Sequence, residues 1–233
     1  MGRLILVRHG QASFGAADYD QLSELGYEQG RMLGRWWAQR GKGIDRVYCG
    51  PMKRHLQTCE MTAEGMGAAW GEVRQVPELA EYSATDLFKV GLPQLLVTRP
   101  ELADELRRYQ AGGPDAAKSF QKVLEALGRA WAGGEVGGEG LESWPEFRQR
   151  VARGMERMLA EATRGSTVVA FTSGGSIGAA VGLMLDLDDV KAIELSWQIH
   201  NCALTTALFS GQRASLSAFN ATPHLSLDAI TYR

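Results

Sequence analysis

Three short stretches of this chain carry side chains suited to handling a phosphoryl group. Arg8-His9-Gly10 follows the apolar run Leu4–Val7, Arg54 follows Cys49-Gly50-Pro51, and Ser173-Gly174-Gly175 follows Thr167–Thr172. Guanidinium forks match phosphate oxygens two at a time. A neutral imidazole is a nucleophile. A glycine pair that opens a helix offers backbone N–H groups at the positive end of the helix dipole, a ready seat for an anion. Brought together, these groups would bind a phosphate ester and attack it.

The elements that must bring them together can be read from the apolar pattern. Leu4–Val7, Arg46–Cys49 and Thr167–Thr172 read as strands, the first and last covered on both faces. Leu22–Arg40 reads as a helix ended by Gly41, and Met52–Gly65 as a second. Val73–Leu79 reads as a third strand in chain order. Ser143-Trp144-Pro145-Glu146 is a capping box opening a helix whose apolar face is Phe147, Val151, Met155, Met158 and Leu159. After Ser173 a helix of small residues, Ser176–Leu185, precedes the strands Ala203–Phe209 and Ser215–Phe219, joined across Ser210–Arg213. Strands alternating with helices imply a mostly parallel sheet with helices on both faces. Open sheets of this kind bind ligands beyond the carboxyl ends of their strands, where all three stretches lie. Residues 82–140 are looser, with helices near Glu101–Tyr109 and Ala116–Trp131 and no strand pattern. They read as a helical insertion, or lid, within a single domain spanning 1–233.

Composition narrows the partners. The 25 basic and 27 acidic residues leave a net charge of −2, which speaks against nucleic acid or a membrane surface and makes any anion attraction local. Cys49, Cys59 and Cys202 are widely spaced and suit a reducing compartment better than a disulfide or zinc framework. The first apolar run is too short for a signal peptide or a membrane span, so the cytoplasm is the expected location.

In this order the stretches resemble the histidine phosphatase superfamily, whose best-known branch is the phosphoglycerate mutases. Leu6–Gln11 is similar to its opening motif, Leu22–Gly26 to its first-helix signature, and Val47–Arg54 with Thr58 to its second-arginine segment. Glu78-Leu79-Ala80-Glu81 is similar to the segment carrying the acid, with Glu81 the better aligned and Glu78 a rival. The resemblance implies a three-layer α/β/α fold with a mostly parallel sheet and one antiparallel strand. It also implies a metal- and cofactor-free hydrolysis of a small phosphomonoester. His9 would accept the phosphoryl group, Arg8 and Arg54 would stabilise its charge, and Glu81 would protonate the leaving oxygen and then activate water.

The resemblance breaks at two places. The family's second histidine normally follows the Thr167–Thr172 strand, immediately before glycine, and here that residue is Ser173 with Gly174 after it. A hydroxyl donates one hydrogen bond but lacks an imidazolium's charge, a loss of roughly 10²–10³ in rate by analogy with oxyanion-hole deletions. Gly15 stands where relatives often carry Asn. His200, at the start of the strand that the resemblance makes antiparallel, is expected near His9 as a partial substitute for the missing imidazole, with a raised pKa. Ser173→His is expected to raise activity. His55 is expected to face solvent, and His224 to be a loop residue. Other readings are a phospho-ligand-binding protein that has lost turnover and a phosphomutase. A serine acyl hydrolase using Ser173 is disfavoured by Phe171 where the nucleophile elbow needs Gly.

Overall fold

Each buried apolar run becomes a strand, and the pleat of the strands divides their side chains between two cores. In the computed structural model, residues 1–13, 20–41 and 43–232 are described; Gly15 lies outside them. The strands are β1 (Gly2–Arg8), β2 (Arg46–Cys49), β3 (Val73–Gln75), β4 (Thr167–Thr172), β5 (Leu204–Ser210) and β6 (Arg213–Ala221). They form one sheet in the order β3-β2-β4-β1-β5-β6. Pairing is parallel from β3 through β1, and β5 runs antiparallel to both β1 and β6. Leu4, Leu6, Tyr48, Val168 and Ala170 point into the larger core, while Ile5, Val7, Val47, Cys49, Val169 and Phe171 point into the smaller one. This alternation is the period of two that a pleated strand imposes.

The smaller core is closed by α1 (Glu24–Arg40) and α2 (Lys53–Met66), through Leu33, Trp37 and Cys59. The two helices cross closely because Gly30 and Gly34 face α2: a Cβ at Gly30 would come within 2.7 Å of Met61 Cβ, and one at Gly34 would strike the Thr62 carbonyl. The larger core is covered by α7 (Trp144–Glu161), α8 (Gly174–Leu185) and α9 (Asp189–Ser196). The capping box forms as the sequence indicates, with Ser143 and Glu146 each bonding the other's backbone.

The stretch read as a lid contains α3 (Ala84–Asp86), a π-helical turn at Leu87–Gly91, α4 (Leu92–Thr98), α5 (Leu102–Ala111) and α6 (Ala116–Ala132). Its last helix is not peripheral. Val123, Leu127, Ala130 and Trp131 are fully or almost fully buried in the larger core. Two readings of elements need correction. The third strand stops at Gln75 instead of reaching Leu79, because Pro77 lacks an N–H and opens a 3-10 turn over Pro77–Leu79. The helices α3, α4 and α9 are short and weakly patterned, and periodicity did not reveal them.

Candidate active site

His9 lies one residue beyond β1, at the middle of the sheet edge. Its backbone is tied to both flanking strand ends: its N–H donates to the Thr172 carbonyl at 2.9 Å, and its carbonyl accepts from the Cys202 N–H at 3.1 Å. The side chain is buried, with Nδ1 2.7 Å from the Gly10 carbonyl oxygen. A carbonyl only accepts, so Nδ1 must carry the hydrogen and Nε2 is left with its lone pair. The pKa of the ring is held well below the ordinary value by burial first, then by the charges of Arg54 and Arg8 and the neighbouring His55. Both effects favour the neutral ring with Nε2 unprotonated, the form a nucleophile requires.

Arg54 enters from the first turn of α2 and is buried. Its Nη1 donates to Asp20 Oδ1 at 2.7 Å, while Asp20 Oδ2 accepts from the Lys53 N–H at 2.9 Å. Asp20 thus caps a helix whose own N-cap residue, Met52, offers no side-chain bond. Arg8 continues β1 and donates through Nη1 to the Ile199 carbonyl. Thr58, one turn beyond Arg54, accepts the Gly10 N–H at 3.0 Å and donates to the Arg54 carbonyl at 2.7 Å, joining the nucleophile's loop to the arginine's helix.

Of the two candidate acids, Glu81 sits at the site and Glu78 does not. Glu81 Oε2 accepts the Gly175 N–H at 2.9 Å, at the first turn of α8. A Cβ on Gly175 would collide with this carboxylate, so the glycine is what admits it. Glu78 points toward α7, 3.8 Å from Arg157 Nη1. The segment bearing Glu81 is clamped from two sides. Arg150 of α7 donates to the carbonyls of Glu78 and Ala80 at 2.9 and 3.0 Å, and Thr172 and Ser176 hold the carbonyls of Leu79 and Ala80 at 2.8 and 3.1 Å. Burial pushes the Glu81 carboxyl up, against the lowering effect of the Gly175 amide, Arg54, the Tyr82 amide and Arg8. A carboxyl so placed can keep a proton where an exposed one has lost it.

Ser173 occupies the N-cap position of α8 but makes no capping bond. Its Oγ lies 2.6 Å from His55 Nε2 and 3.4 Å from Arg54 Nη2. His55 is the main correction to the sequence reading. It does not face solvent: it is fully buried, and its ring centroid is 5.8 Å from that of His9. The cause is the width of the buried stripe on α2, which takes in Arg54, His55, Thr58, Cys59 and Thr62. Burial, followed by the charge of Arg54, holds the His55 pKa well below the ordinary value.

The expectation for His200 also changes. Its ring stands edge-on to Tyr232, 4.6 Å between centroids, and its backbone N–H is held by Asn220 Oδ1 at 2.7 Å. Partial burial and then the charge of Arg8 lower its pKa. The imidazole beside that of His9, tilted against it, belongs to His55. His224 is buried against Trp36, its pKa lowered to about 4 by burial, and packs rather than binds. Gly174 takes its expected place at the start of α8, with its α-carbon facing the Ser196 carbonyl and the Arg8 side chain.

Beside the loop that follows His9, a cleft of about 620 Å³ is lined by Gln11, Ala12, Ser13 and Ser23 on one side and by Tyr109, Ala117 and Phe120 on the other. The second wall comes from α5 and α6. Phe120 is braced by a parallel stack on Phe88 at 5.7 Å and by Tyr109 at 4.8 Å.

A buried histidine, two arginines and a buried carboxyl at the carboxyl edge of such a sheet match a known family. Its model, described as histidine phosphatase superfamily (branch 1), matches residues 4–130 and 98–222. The chain belongs to the histidine phosphatase superfamily. Over 90 residues it is 31% identical to the 2,3-bisphosphoglycerate-dependent phosphoglycerate mutase of Methylorubrum populi, a stretch covering 36% of this chain and only 42% of that mutase. Among solved structures, Bacillus stearothermophilus YhfR superposes with a TM-score of 0.66 at 16% identity, over 96% of this chain and 99% of that one. Phosphoserine phosphatase from Entamoeba histolytica, in complex with 3-phosphoglyceric acid, gives 0.64 at 18% identity over 97% and 100% of the two chains. Mycobacterial glucosyl-3-phosphoglycerate phosphatase with inorganic phosphate gives 0.63 at 20% identity, again over 97% and 100%. These likenesses establish the fold, and the superfamily holds both phosphatases and mutases. Among the described residues no helix is long and apolar enough to cross a membrane.

Proposed function

We propose that the protein is a phosphomonoesterase working through a phosphohistidine on His9. The observation that carries the reading is the Nδ1–H···O=C bond to Gly10, which leaves His9 Nε2 unprotonated within reach of two guanidinium charges. Nε2 attacks phosphorus, an N–P bond forms, and the P–O bond to the alcohol breaks. The Glu81 carboxyl gives its proton to the departing oxygen. Water then attacks the phosphohistidine, losing a proton to the Glu81 carboxylate, and the N–P electron pair returns to Nε2. Arg8 and Arg54 stabilise the charge that spreads over the phosphoryl oxygens in both steps. All the positive charge invoked comes from side chains, so the reaction is expected to run in EDTA.

The substrate is a small phosphomonoester in the cytoplasm, taken up by a single catalytic unit spanning 1–233. The apolar, aromatic far wall of the cleft suits an organic portion with an apolar face. The names of the phosphoserine and glucosyl-3-phosphoglycerate phosphatases support a substrate of this size class. A mutase would share the phosphoenzyme and differ only in passing the group to a second alcohol instead of water; the mutase similarity motivates testing it. The test is to quench the enzyme with a radiolabelled aryl phosphate in EDTA. Acid-labile, base-stable label on His9, absent from His9→Ala, is expected, with inorganic phosphate as product. Full turnover by His9→Ala would overturn the reading, and quantitative transfer to an added phosphorylated alcohol would turn it to a mutase.

A further inference from the structure

Ser173 and His55 form a buried pair between the nucleophile and Arg54 that the steps above do not use. The hydroxyl has one hydrogen and two lone pairs to distribute. Arg54 Nη2, at 3.4 Å, can only donate to it, which takes one lone pair. His55 Nε2, at 2.6 Å, can either accept the hydroxyl hydrogen or donate to the second lone pair. If it accepts, the hydrogen is committed to His55 and none is left for a ligand. If it donates, the hydroxyl hydrogen is free to reach an oxygen bound beside Arg54.

An anion at this position favours the donating arrangement, because it turns a hydroxyl dipole toward negative charge in a site shielded from water. The ring is built to stay in place. It is fully buried, and its Nδ1 lies against Gly50 so closely that a Cβ there would collide with it. The contact of its ring with that of His9, at 5.8 Å and tilted by 32°, puts it beside the proposed nucleophile.

We infer that His55 is a positioning residue that works through Ser173: its Nε2–H fixes the hydroxyl so that Ser173 donates to the transferring phosphoryl group. Together, two residues on α2 and α8 do what one imidazole at position 173 would do. The inference rests on the phosphotransfer reading above. It also revises the expectation for Ser173→His. With His55 Nε2 only 2.6 Å from Oγ, a second ring has no room, so the single substitution is expected to lower activity.

The test compares kcat and KM on p-nitrophenyl phosphate, and affinity for orthovanadate, in seven proteins: wild type, Ser173→Ala, His55→Leu, the double variant of these two, His55→Gln, Ser173→His, and His55→Ala with Ser173→His. Leu fills the ring's volume without a donor, and thermal melting reports whether each variant is folded. Expected are losses in kcat of roughly 10²-fold for either single variant, of the size an oxyanion donor gives, and no further loss in the double. Gln, which can place an N–H near the position of Nε2, should recover most of kcat. The exchanged pair should exceed Ser173→His alone. A merely structural role would make Leu and Gln alike.

Losses that multiply in the double variant, or a His55→Leu enzyme with wild-type kcat and vanadate affinity, would overturn the inference and leave the phosphatase reading intact. If the wild type binds vanadate without turnover, the same comparison is read on affinity, with the same criteria. A wild type that neither turns over nor binds vanadate would overturn both.

Discussion

The phosphoryl pocket and the cleft beside it are built by opposite means. In the pocket, every side chain assigned a chemical task is held by at least one defined bond: His9 by Gly10, Arg54 by Asp20, Glu81 by Gly175, Ser173 by His55. His9 and Ser173 follow strand ends, Arg54 lies on the first turn of α2, and Glu81 lies on the clamped segment after the 3-10 turn. The cleft's outer wall is Tyr109, Ala117 and Phe120, on α5 and the first turns of α6, where the contacts between rings are aromatic. Hydrogen bonds fix direction, which bond-making needs, whereas stacking fixes area, which selection among organic groups needs. Under the proposed function, the difference would give turnover to the first region and substrate preference to the second.

Three substitutions test that division, taken from the largest effect to the smallest. Arg54→Ala should lower kcat by roughly 10²–10³-fold with a smaller change in KM, since its charge counts most as negative charge spreads in the transition state. Steady-state kinetics that raised KM alone would move Arg54 to the binding side of the comparison.

Glu81→Gln should lower kcat by about 10²-fold for esters with poor leaving groups and much less for p-nitrophenyl phosphate. It should also change the pH profile. The lowered pKa of His9 keeps the nucleophile neutral until the pH falls through that value, which sets the acidic limb. The raised pKa of Glu81 keeps the acid protonated beyond the ordinary carboxylate range, and that form is lost as pH rises through it. The wild type should therefore be most active on the acidic side of neutrality, and Glu81→Gln should lose the alkaline limb alone. An unchanged profile would remove Glu81 from the proton transfer.

Tyr109→Ala should raise KM for an aryl phosphate by about 3–10-fold, the worth of one aromatic contact, with kcat within about twofold. A matching fall in kcat would mean that the cleft helps to orient the reacting group.

Much of this architecture can be read from the chain, for reasons that separate the two regions. The central strands β1, β2 and β4 are buried on both faces, so their apolar runs are unambiguous, and the arginine and histidine at their ends stand out. Glu81 could be ranked above Glu78 by motif order, yet only the clamp from Arg150, Thr172 and Ser176 explains why one carboxylate turns inward. His55 reads as solvent-facing because an isolated polar residue on a helix suggests solvent, yet it is buried. The signal was present: Cys59 lies one turn beyond His55, and Thr58 and Thr62 lie one and two turns beyond Arg54, so that the buried stripe on α2 is two residues wide. Asp20 gave no signal, since a cap that arrives from a distant loop has no fixed spacing. The short helices α3, α4 and α9 and the aromatic wall of the cleft are set by tertiary packing, which weak local periodicity cannot encode.

In the proposed reaction cycle, the bond from the Gly175 amide to Glu81 acts against burial on the same proton. The amide can bond to a carboxylate oxygen, but it gains little from the same oxygen once that oxygen is a hydroxyl. At the leading end of a twelve-residue helix it therefore favours the form that has just given up its proton. Burial favours the other form. The helix and the cavity thus pull on one proton from opposite sides, and the carboxyl can release and recapture it within a single turnover without moving.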